Sequence, residues 1–202
     1  MCHWLRWMSR GGHPASSANS LADVDTRRYS RQRFEYGSDT PAGGFGNALL
    51  TRLPILAIQQ WHLTWPTTTY DGTEPSEPRS LLLAKLGHDF EPFWIGSTHL
   101  PRGDARARTN ALDRLTSLVR RLDAPWIVCG DFNVPASSWL TEAGEMKFCP
   151  NPEEPTYPAE HPIEAIDYCI ASPGIATDAK VLPTHGSDHC PVLFSARINT
   201  TN

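Results

Sequence analysis

The sequence predicts a layered α/β or α+β sandwich, an arrangement in which several strands pack around a core with few helices. Two observations lead to this fold class. Short apolar segments alternate with turn signals from Phe45 onward, and one long segment has the periodicity of an amphipathic helix. The 18 Pro and 14 Gly residues indicate many turns, which disfavours a helical bundle.

The first predicted strands precede and follow a long polar loop. Residues 48–52 and 55–63 have strand-like composition and are separated by Pro54. Residues 64–78 are rich in Thr, Pro and Glu and are expected to form a loop. Residues 81–86 and 93–98 are predicted to be a strand pair around the turn signal at Gly87.

The strongest helix prediction covers residues 104–122, because its Leu and Val residues fall on one face and Arg residues lie off that face. Residues 126–129 form a short apolar strand that ends at Gly130. The remaining predicted elements are a short helix over residues 137–143 and strands over residues 166–171, 180–183 and 192–198.

Length and charge bound the organisation of the chain. The 202 residues are enough for one domain, which we expect over residues 43–202 after a divergent or poorly ordered segment, 1–42. The net charge is −4, which gives no overall attraction to nucleic acid. Basic residues are concentrated in residues 1–35, so the rest of the chain is more acidic than the total.

Cysteine usage and hydropathy indicate the class of protein. The five Cys residues contain no Cys-x-x-Cys pair, and three of them lie in or beside apolar segments, as expected for buried thiols in a reducing compartment. No apolar run approaches the length of about 20 residues that a membrane span requires. We therefore expect a cytoplasmic monomer without a transmembrane segment.

A first candidate site is the segment Gly130-Asp131-Phe132-Asn133, which follows a predicted strand. Gly130 allows a sharp turn, and Asp131 and Asn133 would then project to the same side. A carboxylate can orient or deprotonate a water molecule, and a neighbouring amide can donate to a phosphoryl oxygen. The alternative is an Asx turn that closes the strand.

A second candidate precedes the last strand, where Asp188 and His189 are adjacent. A carboxylate suits a hard divalent cation, and an imidazole can act as acid, base or phosphate donor. Asp167 lies in an apolar strand and needs a partner, for which His189 is the natural choice. The alternatives are a plain turn at residues 186–191 and an Asp167 carboxylate that bonds turn backbone.

His99 ends a predicted strand just before an arginine-rich segment. A single histidine is more often structural than catalytic. Arg102, Arg106 and Arg108 are interpreted as the solvated start of the helix in preference to phosphate ligands.

The order of these clusters along the chain resembles the endonuclease/exonuclease/phosphatase superfamily. The resemblance covers about residues 43–198 and rests on Thr98-His99-Leu100, Gly130-Asp131-Phe132-Asn133, Ile166-Asp167-Tyr168 and Ser187-Asp188-His189, with support from Gly46-Asn47-Ala48 and Thr156-Tyr157-Pro158. It implies a four-layer sandwich of two packed mixed β-sheets flanked by helices.

The same resemblance implies Mg²⁺- or Mn²⁺-dependent cleavage of a phosphoester by in-line attack of water. Asp131 would activate the water, and His99 and Asn133 would contact the scissile phosphate. His189, paired with Asp167, would stabilise the developing charge or act as base, and Asp188 would help to hold the metal. The substrate would be a small phosphoester, a lipid headgroup or nucleic acid.

The N-terminal region departs from the family pattern. The family's first strand carries an Asn, and the strand after the first helix carries a Glu in a Gln-Glu-Val segment, and both complete the metal site. Residues 5–9 resemble that strand without the Asn, and Asp23 stands where the Glu is expected. The family's first strand and helix are therefore expected to be lost or altered. A catalytically impaired pseudoenzyme that acts as a binding module is the alternative function.

Overall fold

The computed structural model describes residues 46–64, 79–87, 91–139, 146–149, 154–183 and 186–198. The strands are β1 (Ile55–His62), β2 (Ser80–Leu86), β3 (Phe93–His99), β4 (Trp126–Asp131), β5 (Lys147–Cys149), β6 (Asp167–Ala171), β7 (Ile175–Val181) and β8 (Val192–Ile198). One α-helix, α1 (Ala105–Val119), joins β3 to β4, and a 3₁₀ turn covers Ala136–Ser138.

Six strands form a mixed sheet in the order β1-β2-β3-β4-β6-β5, and β7 and β8 form a second, antiparallel sheet. The pair β3–β4 is parallel, and every other neighbouring pair of the large sheet is antiparallel. This parallel pair is possible because α1 carries the chain back across the sheet.

The large sheet is buried on both faces at its strands β4 and β6. Alternate residues of β4 point to opposite faces, so Trp126 and Val128 pack in the core that includes α1. Ile127 and Cys129 lie in a second cluster, to which Phe194 of β8 contributes. Burial on both faces explains why this strand is an uninterrupted apolar run.

Helix α1 packs one face against the sheet. Its buried residues are Ala107, Ala111, Leu112, Leu115 and Val119, which recur at the spacing of one helical face. Asp104 is the N-cap, since its Oδ1 accepts a hydrogen bond from the Ala107 amide at 3.0 Å. No helix in the described part of the chain is long and apolar enough to cross a membrane.

The predicted sandwich of two sheets is confirmed as an α+β fold with one large mixed sheet and a second small sheet. Within the described residues the small sheet is an antiparallel pair rather than a mixed sheet. The predicted helix is shorter than expected, because the amides of Arg121 and Leu122 bond three residues back and tighten its last turn.

Two predicted elements are wrong within the described residues. Residues 48–52 form no strand, since Thr51 Oγ1 accepts from the Leu53 amide at 2.9 Å and turns the chain ahead of Pro54. The predicted helix over 137–143 is only the 3₁₀ turn as far as residue 139, beyond which it lies outside the described residues. β5 and residues 175–179 of β7 were not predicted. The predicted loop over 65–78 and the boundary at residues 42/43 also lie outside the described residues.

Candidate active site

Three of the predicted site residues lie side by side in one row across the large sheet. The register pairs His99 at the end of β3 with Asp131 at the end of β4, and Asp131 with Asp167 at the start of β6. Because side chains alternate along a strand, Asp131 shares its face with Ile127 and Cys129, the face that packs toward β8.

Gly130 brings β3 and β4 unusually close at this row. A Cβ atom at this position would lie 2.0 Å from the Thr98 carbonyl oxygen, a distance that no real contact reaches. Only glycine allows the backbone to approach this closely. The residue that follows, Asp131, therefore lies directly beside His99.

The turn after Asp131 has the geometry of an Asx turn. The Asn133 amide donates to Asp131 Oδ1 at 2.8 Å, and Asn133 adopts a positive φ of 53°. The Asn133 side chain donates from Nδ2 to the Leu100 carbonyl at 2.8 Å. The structural and chemical interpretations of this segment are compatible, because the turn uses one carboxylate oxygen and the other faces the histidines.

Asp167 and His189 form a short polar contact. His189 Nδ1 lies 2.6 Å from Asp167 Oδ2. The Thr156 hydroxyl donates to the same oxygen at 2.7 Å and accepts from the Asp167 amide at 3.2 Å. Asp167 therefore orients the imidazole through its Nδ1 atom.

Both imidazoles turn their Nε2 atoms toward one carboxylate oxygen. Asp131 Oδ2 lies 3.3 Å from His99 Nε2 and 3.9 Å from His189 Nε2. Asp131 is 1% exposed, and both histidines are buried. Since a buried carboxylate needs partners, this arrangement fixes a negative charge between two groups that can carry protons.

Of the two predicted metal ligands, only Asp188 lies within the described residues. Asp188 is exposed, and its carbonyl oxygen accepts from the Ala159 amide at 2.9 Å. Its carboxylate is not among the groups brought together in the described part of the chain. Asp23 lies outside the described residues.

The donor types near Asp131 suit a hard divalent cation. Asp131, Asp167 and His189 offer ligand atoms within 4.8 Å of one another. Mg²⁺ takes about six oxygen ligands, and the described side chains supply fewer. Water, substrate and residues beyond this group would have to complete the coordination.

Three contacts of the site were not predicted from the sequence. The Tyr157 ring lies 4.6 Å from the His189 ring between centroids, and Arg102 Cζ lies 4.4 Å from the Tyr157 ring centroid. Thr156 bonds Asp167 as described above. The motif Thr156-Tyr157-Pro158 supports the family resemblance, but the sequence does not show which residues its side chains contact.

Cys190 adjoins the site without being a nucleophile. Burial raises the pKa of its thiol, and the nearby Asp167 carboxylate acts in the same direction. The thiol is therefore neutral at physiological pH, and its hydrogen bond goes to the Ala159 carbonyl.

Comparison with known proteins identifies the family and the fold of this chain. The model of the Endonuclease/Exonuclease/phosphatase family matches residues 4–189. Comparison of the sequence with curated proteins gives no match. Among solved structures, similar folds include a mannosyl-6-phosphatase from Bacteroides thetaiotaomicron, with 18% identity, a TM-score of 0.58 and coverage of 72% of this chain and 67% of that chain.

A second similar structure is an endonuclease/exonuclease/phosphatase family protein, also from B. thetaiotaomicron, with 19% identity, a TM-score of 0.59 and coverage of 71% and 65%. A third is D. rerio TDP2 complexed with a single strand DNA product, with 14% identity, a TM-score of 0.54 and coverage of 72% and 68%. This chain thus spans about two thirds of the length of these proteins. At such identities the structures show a shared fold, and the match over residues 4–189 shows that the chain belongs to the Endonuclease/Exonuclease/phosphatase family.

Proposed function

We propose that this chain is a divalent-metal-dependent hydrolase that cleaves a phosphodiester or phosphomonoester by in-line attack of an activated water. The observation that supports this most directly is the convergence of His99 and His189 on the buried carboxylate of Asp131. Hydrolysis of a phosphoester needs a carboxylate for the water and fixed donors for the charge that develops on phosphorus.

His189 and Asp167 would act together on the phosphoryl group. With Asp167 at Nδ1, an imidazole that carries a second proton on Nε2 is stabilised as the cation. Nε2 can then donate to a phosphoryl oxygen as negative charge accumulates there. The Thr156 hydroxyl keeps the carboxylate oriented for this task.

Asp131 would position the attacking water, and His99 and Asn133 would contact the scissile phosphate. An amide nitrogen carries two N–H bonds, and Asn133 uses Nδ2 for the Leu100 carbonyl. The remaining N–H is the one that would donate to the phosphate. The contact to Leu100 therefore orients the amide.

Asp188 and Asp23 are the residues that we propose to hold the cation. Mg²⁺ or Mn²⁺ bound there would neutralise charge on the phosphoryl oxygens and acidify a bound water. The exposure of Asp188 leaves its carboxylate accessible from solvent. The compartment that we propose is the cytoplasm, because Cys129, Cys169 and Cys190 are free and buried.

The preferred substrate class is a small phosphoester or a lipid headgroup. Nucleic-acid cleavage usually involves a basic face, and the chain carries a net charge of −4. Similar structures include both a mannosyl-6-phosphatase and TDP2 with a DNA product, so the fold is compatible with either chemistry.

The proposal is tested by hydrolysis of an aryl phosphodiester and an aryl phosphomonoester with Mg²⁺ or Mn²⁺. Turnover should be abolished in Asp131→Ala and His189→Ala and retained in Asp178→Ala, which removes an exposed carboxylate from β7. A folded wild-type protein that hydrolyses neither ester, nor abasic DNA, sphingomyelin or inositol phosphates, would favour the pseudoenzyme that serves as a binding module.

A further inference from the structure

The loop that follows β3 is fixed to the candidate site by its backbone. The Leu100 amide donates to the Asp131 carbonyl at 2.9 Å, and the Leu100 carbonyl accepts from Asn133. Arg108 then folds back from α1, and its Nη1 donates to the carbonyl of Arg102 at 2.7 Å and to that of Pro101 at 3.3 Å. The Arg102 side chain therefore projects from a loop whose backbone is hydrogen-bonded to residues of the candidate site.

The side chain of Arg102 reaches an aromatic ring that itself contacts the site. The guanidinium carbon lies 4.4 Å from the centroid of the Tyr157 ring, within the range of a cation–π contact. The backbone of Tyr157 is bonded in both directions to Glu164, at 3.1 and 2.8 Å. The backbone of Tyr157 is thus held in place, and its ring contacts both His189 and Arg102.

The charge around Arg102 is negative. The side-chain hydrogen bond with Tyr157 raises the pKa of Arg102, and the carboxylates of Glu164 and Asp131 act in the same direction. A polyanionic substrate approaching these carboxylates meets an exposed guanidinium at their edge.

We propose that Arg102 is a substrate-binding residue that takes a second phosphate, adjacent to the one that is hydrolysed. The inference rests on the proposed function and adds a substrate class to it, namely phosphoesters that carry two phosphates. A planar guanidinium binds a phosphate in a bidentate manner, and because the Arg102 side chain is exposed, the N–H groups that Tyr157 does not use can reach a ligand. Because the Tyr157 ring lies between this contact and the contact with His189, we assign Arg102 to a neighbouring phosphate and not to the scissile one.

The test measures binding, so that it does not depend on turnover. Isothermal titration calorimetry compares the affinities for two pairs of ligands. The first pair is glucose 1,6-bisphosphate and glucose 6-phosphate. The second pair is a 5′-phosphorylated thymidine dinucleotide and thymidine 5′-monophosphate. Ca²⁺ replaces Mg²⁺ to suppress hydrolysis. Wild type, Arg102→Ala, Arg102→Lys and Arg106→Ala are measured, the last removing an equal charge from an exposed position on α1.

The expected result is a loss of about tenfold in the affinity of a two-phosphate ligand in Arg102→Ala, with partial recovery in Arg102→Lys. The affinity of the single-phosphate ligand should change less than about twofold, as should all affinities in Arg106→Ala. The pair that shows the loss identifies the source of the second phosphate, a nucleic-acid backbone or a small molecule.

Three results would overturn the inference. The first is an equal loss of affinity for one- and two-phosphate ligands in Arg102→Ala. The second is no loss of affinity for either ligand in that variant. The third is a wild-type protein that binds the two-phosphate ligand no more tightly than the single-phosphate ligand. A failure of the proposed function is seen separately, as a protein that binds these ligands through Arg102 and hydrolyses none of them.

Discussion

Single residues set the chemistry of the candidate site, and Asp167 is the clearest case. Its carboxylate oxygen Oδ2 lies 2.6 Å from His189 Nδ1 and accepts a hydrogen bond from the Thr156 hydroxyl at 2.7 Å. An amide in its place cannot stabilise an imidazolium and presents an N–H that opposes the correct tautomer. In the proposed mechanism Asp167 acts on the reaction through His189.

For Asp167→Asn we expect a fall in kcat of about 10³- to 10⁴-fold with little change in KM. The measurement is steady-state kinetics on the aryl phosphodiester, with Asp178→Asn as the matched control on β7. A kcat within a few fold of wild type would show that the imidazole works without its carboxylate.

Gly130 offers a test of the backbone approach that delivers Asp131. In Gly130→Ala the new Cβ would overlap the Thr98 carbonyl, and because this neighbour is backbone the strands must separate. We expect a loss of about 3 kcal/mol or more in the free energy of unfolding. Gly103→Ala is the matched control, since a Cβ there has nothing within 4 Å.

Chemical denaturation of both variants checks this prediction. Equal midpoints for Gly130→Ala and Gly103→Ala would mean that β3 and β4 do not require the close approach. Because Asp131 is the next residue, the separation of the strands should also reduce activity in any Gly130→Ala protein that folds.

The site residues were identifiable from the sequence to the extent that each one ends or begins a strand. His99, Asp131 and Asp167 follow or open apolar segments, and strands that pair in register bring such positions together. The contact of Arg102 with Tyr157 has no such signal, because it joins a loop to a distant turn. Contacts of this kind depend on loop conformation, which local sequence does not determine.

At the scale of elements, predictability follows burial and length. β4 is buried on both faces and α1 buries one face, so each leaves a clear pattern of apolar residues. β5 has three residues, too few to show a period. Residues 48–52 contain apolar side chains but are turned by Thr51, so that composition alone was misleading.

The N-cap of α1 carries the next prediction. Removing the Asp104 side chain leaves the Ala107 amide without its acceptor at the first turn of the helix. We expect Asp104→Ala to reduce the free energy of unfolding by about 1 kcal/mol. Asp113→Ala, in the same helix at an exposed position, should change it by less than about 0.5 kcal/mol.

Thermal unfolding followed by circular dichroism distinguishes these two variants. Because α1 begins directly after the loop of Arg102, the Asp104→Ala protein also reports whether the cap maintains that loop. Equal stability of the two variants would contradict the role of the cap.

At the scale of the whole molecule, the family relationship and the described structure cover different ranges. The family match begins at residue 4, whereas the structure is described from residue 46. The boundary expected at residues 42/43 therefore falls within the family match, and Asp23 belongs to the matched part. The sequence could identify the family from motifs between residues 46 and 189, whereas the Asn and Glu of the family pattern are not evident in residues 1–42.

Metal binding can be measured on the intact chain, which contains both proposed ligands, Asp188 and Asp23. A ligand that binds only the folded state stabilises it, by about 2.7 kcal/mol at a concentration of 100 Kd. For a protein of this length that corresponds to an increase in Tm of about 5–10 °C. We expect Mn²⁺ to produce such an increase in the wild-type protein and in Asp178→Ala.

The variants decide where the cation is held. If Asp188 and Asp23 are ligands, Asp188→Ala and Asp23→Ala each reduce the Tm increase, because a hard cation depends on its charged oxygen ligands. If Asp188→Ala retains the full increase while Asp131→Ala loses it, the ion is held by the Asp131, Asp167 and His189 group and the assignment of Asp188 is wrong. Retention in Asp23→Ala alone would instead exclude Asp23 as a ligand, and water and substrate would then have to supply the remaining oxygens.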